Sequence, residues 1–238
     1  MTPKEKHRTE LDGMILKRKK MIVEQAITEF SRKGIESTTM ADVARASEVG
    51  IASLYRYFNT KTELVIQSAL LFWKETDEFC IPSLLTRQYH AMSGIRQIET
   101  IAKLLIKGYS TFKDRLIFMN DFEAFLRKQK ISRVQLAEYE EELLKMKPYV
   151  VKALEKGLED HTIRLTDSVD QTYMTLSQMV LSYAQKLAVY NDLLKDDGGI
   201  DPIKNMECAV HMIVNWLRAE PAQENQAETA QDNSAKAV

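Results

Sequence analysis

The chain has little of what breaks helices. Glycine and proline supply thirteen of its 238 residues, half the usual share of roughly 12%. With abundant Leu, Lys, Glu, Ala and Met, that scarcity disfavours turn-rich β-architectures and favours an all-α fold. Apolar residues never run to eighteen in succession, which excludes a membrane-spanning helix. The amino end also lacks the apolar segment of a signal peptide, so a cytoplasmic protein is expected. Cysteine is confined to Cys80 and Cys208, far apart and in no metal or redox spacing, and both are expected to be buried structural thiols. The four histidines, His7, His90, His161 and His211, are scattered. No glycine-rich phosphate loop, nucleophile elbow or metal-spaced His/Asp/Glu cluster is present, so no catalytic residue, metal or cofactor is expected.

Net charge is also scarce, at −1 overall, which argues against a protein that coats nucleic acid along its whole surface. The distribution is uneven. Residues 1–61 hold 12 Lys/Arg against 8 Asp/Glu, so a basic head precedes an acidic body. Local docking on DNA requires that arrangement.

Start and stop signals for helices divide the chain. Residues 1–14 read as a disordered basic tail. Lys17-Arg18-Lys19-Lys20 opens a helix with apolar positions at Ile22, Val23, Ala26, Ile27 and Phe30, stopped by Gly34. The basic run is either a solvated helix start or a contact with phosphates or the minor groove. Thr39-x-x-Asp42 resembles a capping box and starts a second helix; a third spans about Gly50 to Tyr57. Thr60-x-x-Glu63 is a full capping box before a long helix from Leu64 to about Glu78. Pro82 and Gly94 bracket an interruption, with Ser93 as the cap of the next helix. Further starts fall at Asp114, Ser132-x-x-Gln135, Pro148, Ser168-x-x-Gln171 and Asp201-Pro202, giving about nine helices. Lys195 to Gly199 reads as a loop, and residues 219–238, with no aromatic and no branched aliphatic residue except Val238, as a disordered tail.

Residues 38–58 are the most informative stretch. They read as two short helices joined by a turn. Ala44 is small enough for a close crossing, and Val43, Val49 and Leu54 form the seam between the helices. That leaves Ile51, Ala52, Ser53, Tyr55, Arg56 and Tyr57 near or on the outer surface. A helix-turn-helix places such a surface in a DNA major groove. Short side chains let the backbone sink in, the methyl of Ala52 can meet a thymine methyl, and Ser53 can reach a phosphate or base edge. Tyrosine hydroxyls donate to phosphates and position the helix. Lys61 adds a cation at a helix N-terminus, where phosphate is favoured twice over.

Residues 15–64 resemble the DNA-binding domain of the tetracycline-repressor (TetR) family of transcriptional regulators. The resemblance is carried by Ala26, Phe30, Gly34, Thr38-Thr39-Met40, Val43-Ala44, Val49, Ser53-Leu54-Tyr55-Arg56-Tyr57-Phe58, Lys61 and Leu64. It implies that Thr39 contacts phosphate, that Ile51, Ala52 and Ser53 face bases, and that Tyr55, Tyr57 and Lys61 hold the DNA backbone. Arg56 is either a further DNA contact or a solvated charge. Two positions depart from the family pattern: Glu48 stands where glycine is usual in the turn, and Gly50 where serine is usual.

The expected organisation is a helix-turn-helix domain over residues 15–61 and a helical ligand-binding and dimerisation domain over residues 62–218. Met179, Val180, Tyr183 and Leu187 form one apolar stripe, and Val210, Ile213, Trp216 and Leu217 another. The resemblance favours these two helices as a homodimer interface, and intramolecular core is the competing reading. Trp73, Tyr109, Phe112, Phe118, Phe122, Met146, Tyr149 and Met174 are candidates for a pocket holding a lipophilic or aromatic small-molecule inducer, or for ordinary core. The function expected is a ligand-responsive repressor that binds a palindromic double-stranded operator as a homodimer, without a membrane partner. A helical protein–protein adaptor that keeps the motif but not DNA binding is the alternative.

Overall fold

In a computed structural model, residues 2–129, 131–193 and 201–219 are described, and eleven α-helices are found among them rather than about nine. Three form the head: α1 (Pro3–Lys33), α2 (Met40–Ala46) and α3 (Ile51–Tyr57). The body follows: α4 (Lys61–Leu84), α5 (Arg87–Ala91), α6 (Gly94–Thr111), α7 (Lys113–Lys128), α8 (Arg133–Leu143), α9 (Lys147–Glu159), α10 (Val169–Leu193) and α11 (Pro202–Leu217). An isolated antiparallel bridge, Ile163 to Arg218, ties the start of the α9–α10 connection to the end of α11. The expected 195–199 loop and the tail beyond residue 219 lie outside the described residues.

The amino end differs from the expected disordered basic tail. Residues 3–14 are the first turns of α1, begun by a reciprocal capping box in which Thr2 and Glu5 each accept the other's backbone N–H. Nothing stops the helix before Gly34, which ends it at φ 82°. Polarity correctly reports that residues 5–12 bury nothing, but an exposed segment continues as helix when the turns that follow it are already held by packing. Nor is the segment basic: the charges of Lys4, Lys6 and Arg8 are balanced in number by Glu5, Glu10 and Asp12.

One apolar core runs from head to body. Ile22, Val23, Ala26, Ile27 and Phe30 bury one face of α1, and the same cluster continues through Leu64 and Ala69 of α4 to Phe118 and Phe122 of α7. Phe30 stacks on Phe118 at 5.8 Å, and the Ser31 hydroxyl donates to the Asp114 carbonyl at 2.6 Å. Helix α4 serves both parts, passing through Pro82 to Leu84 instead of stopping near Glu78. Its cap is shared: Thr60 Oγ1 accepts from Glu63 N, while Glu63 accepts from Asn59 N rather than closing the full box on Thr60.

Ser93 does not cap α6 with its side chain. The end of α9 does so instead. Asp160 Oδ2 accepts from Gly94 N at 2.8 Å, and Thr162 Oγ1 accepts from Ile95 N at 3.1 Å. The two helices meet through glycines, since a Cβ on Gly94 would lie 2.1 Å from Gly157 N.

Candidate nucleic-acid interface and apolar cavity

Helix α2 is fixed at its start by Thr39, which accepts from Asp42 N at 3.1 Å and donates its hydroxyl to Asp42 Oδ2 at 2.7 Å. The Thr39 N–H and hydroxyl, followed by Lys33, hold the Asp42 carboxyl far below the usual carboxylate range. Thr39 is exposed, but its hydroxyl proton is committed to this cap. The turn closes as Val49 N donates to Ala44 O at 2.9 Å, with Glu48 at φ 52°. That left-handed conformation is one that only glycine adopts without cost. Gly50 precedes α3 with ordinary extended backbone (φ −65°), and a Cβ there would meet nothing within 4 Å. Glycine is therefore not required at this N-cap.

With Leu54 fully buried and Val43 and Ala44 beneath it, α3 presents its other faces outward. Ile51 is 44% and Tyr55 48% exposed; Ala52 and Arg56 are exposed, and Ser53 and Tyr57 half-buried. The Arg56 guanidinium lies over the Tyr57 ring at 5.7 Å. Lys61 is half-buried, donates from Nζ to the Glu36 carbonyl at 3.0 Å, and has its ammonium pKa lowered by that burial. Two of its three N–H groups are left for another acceptor. The basic run of α1 comes to the same region: Arg18 donates to the Glu48 carbonyl at 3.4 Å, and Lys19 lies over the Phe58 ring at 5.8 Å.

The body holds a partly open cavity of about 360 Å³ between α4, α6, α10 and α11, with the α8–α9 connection along one side. Of the candidate pocket residues, Trp73, Tyr109, Phe112, Met146 and Met174 line it. Phe118 and Phe122 do not. Both are fully buried in the core below, Phe118 against Phe30 and Phe122 against Tyr139 at 5.2 Å. Tyr149 packs at the edge of the core without reaching the cavity. Helix periodicity identifies an apolar face but not whether that face meets a void or another side chain. Lining residues absent from the sequence reading include Phe72, Phe79, Ile98, Ile101 and Leu105. Phe72 and Phe79, seven residues or about two helical turns apart on either side of Thr76, share a face of α4 that signalled them.

Cys80 is buried against this cavity and its thiol is pushed up to about 11, first by burial and then by Asp77. Cys208 is exposed on α11 instead of buried, because the inward positions of that helix are taken by Met206 and Val210. Asp77 lies buried between α4 and α8. Burial, then the neighbouring Glu142 carboxylate, raise its carboxyl pKa to about 6. Glu142 is itself paired with Lys145 at 2.7 Å.

The expected dimer residues divide. Val210 is buried and lines the cavity; Val180 and Ile213, both half-buried, line it too, and Ile213 also borders the groove between α10 and α11. Tyr183 and Leu187 are half-buried against the core. Met179 (55% exposed) and Trp216 (48%) remain outward, joined by Met212 (66%), which the sequence reading missed. These three border a 400 Å³ groove between α10 and α11. Met212 lies four residues before Trp216, a spacing that could have signalled it.

Residues 22–67 match the family model described as bacterial regulatory proteins, tetR family. The chain is 33% identical over 100 residues to the HTH-type transcriptional regulator YhgD of Bacillus subtilis (strain 168), a match covering 40% of this chain and 52% of the relative. It is 42% identical over 50 residues to IcaR of Staphylococcus aureus (strain Newman), a negative transcriptional regulator of a biofilm operon, covering 21% of this chain and 27% of that protein. The matched region thus spans about half of one curated relative and about a quarter of the other. A tetR-family protein from Rhodococcus RHA1 superposes with a TM-score of 0.66 over 86% of this chain and 99% of its own, at 14% identity, a likeness of fold alone. Residues 22–67 are therefore similar to the helix-turn-helix domain of TetR-family transcriptional regulators, and the described chain shares the fold of a solved tetR-family protein.

Proposed function

We propose that the protein is a ligand-responsive repressor that binds a palindromic operator as a homodimer and is released by a small-molecule inducer. The observation that carries this reading is the outer surface of α3, where Ile51, Ala52, Tyr55 and Arg56 stand exposed beside Arg18 and Lys19 of α1. Short and apolar side chains suit a groove floor, and the flanking hydroxyls and cations suit its phosphate walls. Met179, Met212 and Trp216 are the residues proposed to face a second subunit, whose two-fold axis sets the spacing of two heads on a palindrome.

The route from ligand to DNA is α4. Lys61 stands at its DNA-side end, and Phe72, Trp73, Thr76 and Phe79 line the cavity along the same rod. An occupant that moves this helix moves the head, and the coupling is reciprocal: DNA weakens ligand binding by the same factor.

A gel-shift and footprint with DNA from upstream of the protein's own coding region tests the reading, with a protected palindrome as the expected result. Tyr55→Ala and Lys61→Ala weaken binding about equally across DNA sequences, and Lys61→Ala, which removes a charge, also flattens its salt dependence. Retention of full regulatory activity in both variants would favour the adaptor reading instead.

A further inference from the structure

The described lining of the 360 Å³ cavity contains no Lys, Arg, His, Asp or Glu. Two cations lie over lining rings and a third is next in sequence to a lining residue, and each of these has a carboxylate. Arg115 lies over the Phe112 ring at 5.8 Å and pairs with Glu75 at 2.7 Å. Lys147 lies over the Tyr173 ring at 5.6 Å and pairs with Asp170 at 2.7 Å. Lys145, next in sequence to the lining residue Leu144, is held by Glu142. The lining residues with polar side-chain atoms are Trp73, Thr76, Cys80, Tyr109, Tyr173, Ser177 and Gln178. Thr76 and Ser177 give their hydroxyl protons to the carbonyls of Phe72 and Met174, so towards a ligand they can only accept. A carboxylate or phosphate entering this space loses its water and meets no counter-charge.

We propose that the cavity takes a neutral lipophilic molecule with at most one uncharged polar group, and rejects the anionic forms of the same carbon skeleton, free carboxylates and nucleotide thioesters alike. This rests on the reading of the cavity as an inducer site and narrows it to a chemical class. The volume lies near the lower end of the range of about 300–1,000 Å³ usual for small-molecule sites, enough for one alkyl chain or a few fused rings.

Three probes of one chain length separate charge from shape: 1-decanol, decanoate and decanoyl-CoA. Binding is read on the full chain from Trp73 fluorescence in a Trp216→Phe background, since these are the two tryptophans. Decanol is expected to give a saturable change, with decanoate at about pH 8 weaker by about tenfold or more, and decanoyl-CoA silent. Decanoate binding should strengthen as pH falls towards its own pKa, while decanol over the same range controls for titration of the protein. Met174, at the rim with 43% exposure, tolerates a cation. Met174→Lys should shift the preference between the two probes about fivefold or more towards decanoate.

Equal or tighter decanoate binding at the higher pH, saturable decanoyl-CoA binding, no response to decanol, or an unchanged preference in Met174→Lys overturns the proposal. A parallel operator gel-shift keeps the two ideas apart. Decanol that binds without releasing DNA refutes the inducer reading and leaves the ligand class standing. Release by decanoate or decanoyl-CoA but not by decanol refutes the ligand class and leaves the regulator standing.

Discussion

The rings of Phe30 in α1 and Phe118 in α7 stack 20° from parallel with centroids 5.8 Å apart, and neither side chain is exposed to solvent. This contact joins the helix-turn-helix head to the body through packed aromatic carbon. Phe118→Ala removes it and leaves a cavity, an expected loss of about 3–5 kcal/mol in urea unfolding, and Phe118→Leu should lose visibly less. A loss below about 1 kcal/mol for the alanine variant would mean that the two parts are not packed as described.

Glu48 holds a left-handed backbone at φ 52°, and its side chain is exposed. Replacing it by glycine relieves strain of about 1 kcal/mol, partly offset by glycine's greater freedom in the unfolded chain. Glu48→Gly should therefore raise the melting temperature and, by removing an anion beside α3, tighten DNA binding. Gly50→Ser adds a side-chain cap in open space and a further few tenths of a kcal/mol. A lower melting temperature for Glu48→Gly would contradict this account of the turn.

Two glycines make a paired test. A Cβ on Gly94 would sit 2.1 Å from Gly157 N and 2.2 Å from its Cα, both backbone atoms that cannot swing aside. Gly94→Ala should force α6 from α9 and destabilise the protein by about 3 kcal/mol or more. Gly13, inside α1, has nothing within 4 Å of the same position. Gly13→Ala should stabilise by about 0.5–1 kcal/mol through helix propensity alone. Thermal unfolding of the two variants side by side checks the sign of each.

Asp77 carries a pH dependence of definite sign. Its carboxyl rises from an ordinary 3.8 to about 6 in the folded protein, so between those values the folded state holds more proton than the unfolded state. Stability from this group is complete below about pH 4 and is lost as pH rises through 6, on the order of 2–3 kcal/mol. Asp42, whose carboxyl is held far down, acts in the opposite sense at lower pH, losing its contribution as acid protonates it. The difference between wild type and Asp77→Asn isolates the former. Urea unfolding across about pH 4.5–7 should show that difference changing steadily with pH; parallel curves would refute it.

How much could be read beforehand depended on how local the signal was. The caps at Thr39, Thr60, Ser132 and Asp201 all hold a backbone N–H two or three residues ahead, and each was visible as a residue pair in the sequence. The seam of Val43, Val49 and Leu54 was visible for a similar reason, since both short helices and their turn fit within twenty residues. Their buried positions in turn dictated that Ile51, Tyr55 and Arg56 face outward. A helix-turn-helix is a nearly self-contained packing problem, so its residues alone determined its shape.

The body was decided by contacts between distant segments. The first turn of α6 takes its cap from Asp160 and Thr162 at the end of α9, not from the adjacent Ser93. Phe118, Phe122 and Val210 had the composition expected of pocket or interface, yet the angles at which helices cross turned the first two into core and the third into cavity wall. Spacing of 3.6 residues per turn marks which residues share a face; only the placement of neighbouring helices decides whether that face meets side chains, empty space or solvent.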